Sequence, residues 1–228
     1  MSTGFEGRAP TGAHTLYITA GSGNSYKPVQ VLAQRGPGGI PCRLRPVNVL
    51  DGETRRPGFL AINPRGQVPF LVTAEGERLG ESNAIAWFLA EGSALIPASP
   101  LHRAQAIQWL IFEQTLLEPR ISPARFFSTI APELREANAA RFPGWIEAGH
   151  AGLALLDAHL TGREFLCDSG YGIADIAVFG YTHLAREGGF DLDRYPGVCR
   201  WIDRVQAQPG HRPVADLPTV EPIRPVAA

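Results

Sequence analysis

Three short stretches of this chain carry residue types able to do chemistry. The first is Asn63-Pro64-Arg65-Gly66-Gln67-Val68-Pro69, a turn sequence that delivers Val-Pro to the mouth of an apolar run, Phe70-Leu71-Val72. A proline there has no ladder donor to give, which suits a sheet edge, a bulge or a cis turn. The second is Glu81-Ser82-Asn83-Ala84-Ile85. It sets a carboxylate and a hydroxyl at a helix start, where free backbone N–H groups and the helix dipole favour an anion. Taken singly, the one reads as a strand terminator and the other as an ordinary cap. One hairpin apart, they could hold a short extended ligand by its backbone at one end and by a carboxylate at the other. The third is the turn from Gly21 to Lys27, with Ser22, Asn24 and Ser25. It lacks the G-x-x-x-x-G-K-[ST] spacing of a phosphate loop and the G-x-S-x-G of an acyl-transfer nucleophile. Gly, Ser and Asn also serve any strand-to-helix turn.

The elements that must position these residues follow from the pattern around them. Thr15-Leu16-Tyr17-Ile18 reads as a strand, and Val29, Leu32 and Ala33 recur at helical spacing after it. Pro28 fits that helix only within the first turn, which predicts a cap near Asn24 or Ser25. Gly36-Pro37-Gly38-Gly39 stops the helix, and Cys42 to Val47 alternates as a second strand. A loop from Asp51 to Pro57, a helical turn from Phe59 to Ile62, and a hairpin, Pro69–Thr73 with Glu77–Leu79 around Glu75-Gly76, come next. A helix from Glu81 to Ala90 completes a β-α-β-α-β-β-α order, that of a thioredoxin-like α/β fold.

Composition changes at Gly92 to Pro100, and everything after it reads helical. Ala104 to Glu118 presents Ile107, Leu110, Ile111 and Leu117 on one broad face, and Pro119 ends or kinks it. Ser122 to Phe127 resumes the same direction. Trp145 to Leu160, Ile173 to Arg186 (the most apolar) and Pro196 to Gln206 follow. The expected division is a flexible extension 1–13, an α/β domain 14–91, a linker 92–103, an all-α helical domain 104–211 and a tail 212–228.

The two motifs of the first half resemble the glutathione transferase family, its bacterial serine-type and nu-like members above all. The second half agrees, with Phe165-Leu166, Ile173-Ala174-Asp175-Ile176-Ala177, Tyr195-Pro196 and Trp201 in that family's order. The resemblance runs from roughly His14 to Pro213. It implies that Ser22, with Ser25 as the alternative, hydrogen-bonds the glutathione thiol and that Asn24 serves the same sulfur. It implies a cis peptide at Pro69 with Val68 pairing the cysteinyl backbone, Gln67 at the glycine end, Ser82 on the γ-glutamyl carboxylate, and Glu81 on the ammonium or orienting the site. Trp109, Phe112, Glu113 and Arg125 are the corresponding candidates for the second-substrate pocket, and Arg120 or Arg125 could reach the glutathione carboxylates. A homodimer is implied as well. One departure stands out: relatives carry Ser or Thr where this chain has Gly172, three residues before Asp175. Glycine caps a helix only a few tenths of a kcal/mol less well, so a weaker helix start is expected.

The implied reaction is attack by the glutathione thiolate on an electrophilic carbon or on a disulfide. The alternative is a non-catalytic glutathione-binding or protein-interaction module, which Pro28 would favour if it distorted the helix. Composition sets the outer bounds. The 228 residues carry a formal charge of −1, which gives nothing in favour of a nucleic-acid or acidic-lipid surface. Three distant cysteines, Cys42, Cys167 and Cys199, read as free thiols of a reducing compartment, and none lies in the Gly21–Lys27 turn. No apolar run is long enough for a membrane span, the first thirteen residues lack a signal-peptide core, and six scattered histidines suggest no metal. A soluble cytoplasmic protein is therefore expected. Lys27 is the only lysine, which reads as a trace of GC-rich coding.

Overall fold

A four-stranded sheet of order β2-β1-β3-β4 carries the first half, in a computed structural model that describes residues 12–36 and 39–220. The extension 1–13, apart from its last two residues, and the tail 212–228 beyond residue 220 lie outside the described residues. β1 (His14–Ile18) pairs parallel with β2 (Cys42–Pro46) and antiparallel with β3 (Phe70–Val72), which pairs antiparallel with β4 (Arg78–Leu79). α1 (Gly23–Gln34) makes the crossover between β1 and β2, α2 (Pro57–Leu60) lies in the long β2–β3 connection, and α3 (Ser82–Ala90) follows the hairpin. The short turn of α2 begins two residues earlier than its apolar residues suggest, because Pro57 can occupy a first helical position.

Pro28 departs from expectation. It is the sixth residue of α1, in the second turn, because the helix starts two residues earlier than Pro28 implied. Ser22 is the cap: its Oγ accepts from Ser25 N at 3.2 Å and its carbonyl from Tyr26 N at 2.9 Å. Those bonds hold the first turn, and only the carbonyl of Asn24 loses a helical donor to the proline.

The second half is helical: α4 (Pro100–Phe112), α5 (Glu118–Arg125), α6 (Phe142–Leu160), α7 (Ile173–Thr182) and α8 (Pro196–Gln206). α4 begins at Pro100, inside the expected linker, and α6 at Phe142, each with proline in the first turn. α7 stops at Thr182 and a 3₁₀ turn, Ala185–Gly188, follows it. Pro119 neither ends nor breaks the long helix. Glu113–Leu117 widen into a π turn, so Pro119 falls in the first turn of α5, where its missing N–H is no loss. The widening shifts the helical register only beyond Glu113. Within regular α4, Leu110 is buried, but Ile107 and Ile111 of the expected apolar face are 43% and 58% exposed; Leu117, in the π turn, is buried.

All ten residues of α7 are buried, and the helix packs against α1 and α3 of the first half. The crossing with α1 is close: a Cβ on Gly23 would lie 2.4 Å from the Gly180 carbonyl, and one on Gly180 would lie 2.9 Å from the Lys27 side chain. Apolar residues of both halves form one core, from Leu16 and Ile85 to Phe179 and Trp201.

The start of α7 leaves no room for the hydroxyl that a serine or threonine cap would bring. A Cβ on Gly172 would sit 2.8 Å from the backbone carbonyl of Leu95. The carboxylate of Asp175 compensates, with Oδ2 accepting from Gly172 N at 3.1 Å and Oδ1 from Leu166 N at 3.1 Å and Trp201 Nε1 at 2.8 Å. Gly172→Ser is therefore expected to destabilise the protein by about 1–3 kcal/mol through overpacking, although a serine cap alone would add a few tenths. Urea unfolding measures it, and a gain in stability refutes the steric account. Burial, opposed by those three hydrogen bonds, pushes the Asp175 carboxyl up from 3.8 to about 6. The folded state thus holds this proton more tightly than the unfolded chain does. Its contribution is complete below about pH 4 and is lost as the pH rises through 6. Urea midpoints should fall across that window and then level, and the slope should vanish in Asp175→Asn.

Candidate functional site

A cavity of about 720 Å³ opens between the two halves, within the range of small-molecule sites. Three loops of the sheet domain form one wall. In the turn after α2, Asn63 Nδ2 donates to the Gln67 carbonyl at 2.8 Å, and Asn63 Oδ1 accepts from Arg65 N at 3.1 Å. This clamp, with Gly66 at φ 60°, delivers Gln67, Val68 and Pro69 to the cavity. The Val68–Pro69 peptide is cis, and Val68 uses neither of its backbone groups in a hydrogen bond among the described residues. An extended ligand could take both.

Glu81 and Ser82 line the same wall at the head of α3. Glu81 is the only non-glycine residue with positive φ among those described, 64°, a conformation that concentrates at functional sites. Its exposed carboxylate pairs with Arg65. Buried Ser82 places its hydroxyl by the first backbone N–H groups of α3, where an anion is favoured.

The Gly21–Lys27 turn separates its two serines. Ser22 lines the cavity, whereas Ser25 is fully buried and its Oγ accepts from Thr19 N at 3.1 Å. Because the Ser22 oxygen accepts the cap bond, its own proton is left to donate, to the neighbouring Tyr181 hydroxyl or into the cavity, at the positive end of α1. Asn24 also lines the cavity, with its amide held at both ends. Oδ1 accepts from Lys27 Nζ at 2.9 Å and from Ser82 Oγ at 3.0 Å, and Nδ2 donates to Glu118 Oε1 at 3.2 Å.

Beneath these residues lies a feature that single motifs do not reveal. Lys27 and Glu113, both 0% exposed, form an ion pair of 2.8 Å that joins α1 to the end of α4. Lys27 also donates to Ser82 Oγ at 3.3 Å, and Glu113 Oε2 accepts from Asn83 and Gln114. The chain's single lysine thus sits where a compact ammonium with three donors is needed.

The pocket residues expected on the first long helix and its continuation, α4 to α5, divide. Arg125 lines the cavity, bonding the Gly21 carbonyl at 2.6 Å and Glu187 at 2.7 Å. Arg120 does not line it. Trp109 and Phe112 stay away from the cavity and pack on each other, with Trp109 4.5 Å from the His159 ring. Glu113 is spent in the ion pair rather than facing a substrate. Their places are taken by Gln114, Glu118, Ser122, Phe126, Ile130 and Tyr181, with Thr219 and Val220 from the C-terminal segment. The Tyr181 hydroxyl adjoins those of Ser22 and Ser122, and burial pushes it above the ordinary phenol value. Of these, Gln114, Glu118 and Ser122 lie in or just after the π turn, which sequence periodicity does not encode. Cys42 and Cys167, pushed up by burial to about 11 and 12, lie off the cavity wall, as does Cys199.

Comparison with known proteins supplies a family context for this geometry. The model described as "Glutathione S-transferase, N-terminal domain" matches residues 31–91, and "Glutathione S-transferase, C-terminal domain" matches residues 146–209. A crystal structure of a possible glutathione S-transferase from Rhodopseudomonas palustris superposes with a TM-score of 0.85 at 42% identity, over 90% of this chain and 99% of that one. A glutathione transferase from Pseudomonas putida, solved with glutathione disulfide bound, gives 0.78 at 25% identity, over 90% and 91%. The disulfide-bond oxidoreductase YfcG of Escherichia coli is 30% identical over 174 residues, 73% of this chain and 80% of its own.

The buried pair makes a sharp prediction. Lys27→Met strands the Glu113 carboxylate and should lower stability by about 3–5 kcal/mol, and adding Glu113→Leu should recover at least half of that. A double-mutant cycle in urea checks it. Additive losses would mean that the two charges do not depend on each other.

Proposed function

The chain belongs to the glutathione S-transferase family, and from that membership we propose that it ionises the thiol of glutathione for attack on a second, electrophilic substrate. The observation that carries this reading is the Ser22 hydroxyl, capped on its oxygen side by Ser25 N and facing the cavity at the head of α1. A free thiol with a pKa of about 8.5 is only about 3% thiolate at pH 7. Lowering it by about two units takes roughly 2.7 kcal/mol of preferential stabilisation of the anion. One hydroxyl donor to a charged sulfur together with a helix N-terminus is of that size. Asn24 adds its second amide proton. Val68 takes the cysteinyl backbone, Ser82 with the α3 amides takes the γ-glutamyl carboxylate, Glu81 faces the ammonium, and Gln67 stands at the glycine end.

We assign the electrophile to the opposite wall, between Glu118, Phe126, Ile130 and Tyr181. Disulfides are favoured beside carbon electrophiles. A related oxidoreductase is named for disulfide bonds, and a structural neighbour binds glutathione disulfide. The chain's own cysteines take no part in this reading, since none lines the cavity. The continuity of α1 through Pro28 speaks against the non-catalytic alternative. Exposed apolar side chains on α3 and α4 (Phe88, Leu101, Ile107 and Ile111) support a homodimer, and the absence of any helix long and apolar enough to span a membrane among the described residues is consistent with the cytoplasm.

Thiolate absorbance of bound glutathione, titrated against pH, tests the reading. In the wild type the bound thiol should ionise about two units below its free value, and in Ser22→Ala at least one unit of that depression should be lost. At pH 6.5 kcat should fall about tenfold or more, while KM moves by less than about threefold, the mark of an interaction made with the thiolate. A bound thiol with an unshifted pKa in the wild type would instead establish the non-catalytic module.

A further inference from the structure

Two carboxylates stand on the described cavity wall, and only one is neutralised: Glu81 pairs with Arg65, whereas Glu118 has no ion pair among the described residues. At 3.6 residues per turn, Glu118 would lie about 140° around the helix from Glu113. The intervening π turn brings it back toward the same side, beside Asn24 and within the field of the Lys27–Glu113 pair. Such turns recur at functional sites. Glu118 is also wired to the sulfur end of the cavity. Its Oε1 accepts from Asn24 Nδ2 at 3.2 Å, and the Ser122 hydroxyl neighbours its carboxyl. The Tyr181 hydroxyl then adjoins both Ser122 and Ser22. Proton-bearing groups therefore stand as neighbours from the Ser22 hydroxyl to an unpaired acid. Burial and the negative charge of Glu113 raise that acid above the ordinary carboxyl value, against the pull of Lys27, Asn24 and Ser122.

We propose that Glu118 is the proton carrier of the reaction, taking the thiol proton and returning it to the group that leaves. The inference rests on the glutathione-activating reading above. The balance closes without a further reactant. The S–H bond of glutathione breaks with its electron pair kept by sulfur, and the proton passes along Ser22, Tyr181 and Ser122 to the Glu118 carboxylate. The thiolate attacks one sulfur of a disulfide R–S–S–R′, a new S–S bond forms, and the old one breaks with its pair on R′S⁻. Glu118 then protonates R′S⁻, giving the mixed disulfide, R′SH and the original carboxylate. A neutralised leaving thiol matters most when its own pKa is high, because poor leaving groups depart slowly as anions. Alkyl disulfides are therefore the class this carboxyl suits.

The test is a leaving-group series: full-length protein, glutathione, and disulfides whose departing thiol runs from nitroaromatic to simple alkyl. Glu118→Gln should slow turnover about tenfold with the nitroaromatic and at least a hundredfold with the alkyl thiol, the size general acid catalysis supplies. Equal slowing across the series, or none, overturns the proposal and leaves Glu118 as a support for Asn24. A wild type that turns over no disulfide overturns it too. The pH titration of bound glutathione keeps the two readings apart: a depressed thiol pKa with a flat series removes Glu118 alone, and an unshifted thiol removes the transferase reading itself. Should the variant not fold, the ¹³C carboxyl signal of Glu118 in the wild type decides. Titration above the ordinary value of about 4.3 supports the proposal, and titration at or below it refutes it.

Discussion

The contact on which the site depends is the ion pair between Lys27 and Glu113, two charges fully withdrawn from water where the α/β half meets the helical half. An isolated charge in such a place is prohibitive, and a pair is tolerable only with further hydrogen bonds to share the desolvation. Here most of those bonds come from residues of the cavity wall. Lys27 reaches Asn24 and Ser82, while Glu113 takes Asn83 and Gln114. The pair consequently fixes which way the Asn24 amide faces, its oxygen toward the lysine and its nitrogen toward Glu118. Two acceptors, Glu113 Oε1 and Asn83 Oδ1, have no partner among the described residues, so the network is satisfied at the cavity wall and less so behind it.

Close backbone approach makes that pair possible. Gly23 and Gly180 let α1 and α7 cross with no Cβ between them, and the Lys27 stem runs over Gly180. The crossing sets Tyr181 against Ser22, so a helix of the second half completes the wall begun by a turn of the first. The burial of every α7 residue makes this arrangement rigid, since neither helix can shift without opening the common core.

The cavity is chemically divided as a result. One wall offers backbone groups, a helix N-terminus and the Arg65–Glu81 pair, suited to a peptide with charges at its ends. The other offers apolar Phe126 and Ile130 with Glu118, Ser122 and Tyr181, suited to a less polar reactant beside a proton donor. Ser22 lies where the walls meet. Thr219 and Val220 close one side, so the C-terminal segment belongs to the site although its sequence reads as a tail.

Local sequence determined the elements whose causes are local. The strand alternation, the hairpin, the Val68–Pro69 turn and the Glu81-Ser82 helix start are short-range patterns, and the structure repeats them with small changes of boundary. The span of α8 and the buried run of α7 were legible for the same reason, an apolar periodicity that no distant contact had to correct. Tertiary structure decided the rest. Nothing near Pro28 or Pro119 reveals that a cap two residues earlier and a π turn would absorb them. Ile107 and Ile111, on a face of α4 that the expected apolar stripe included, stay exposed, and a carbonyl seventy-seven residues away crowds any side chain at Gly172. Trp109, Phe112 and Glu113 shared their helix with the true wall residues, and only the altered twist told them apart. Burial likewise put Ser25 out of reach of the cavity that Ser22 lines. Sequence carries propensity and period, whereas which side of a helix meets a cavity depends on partners far along the chain.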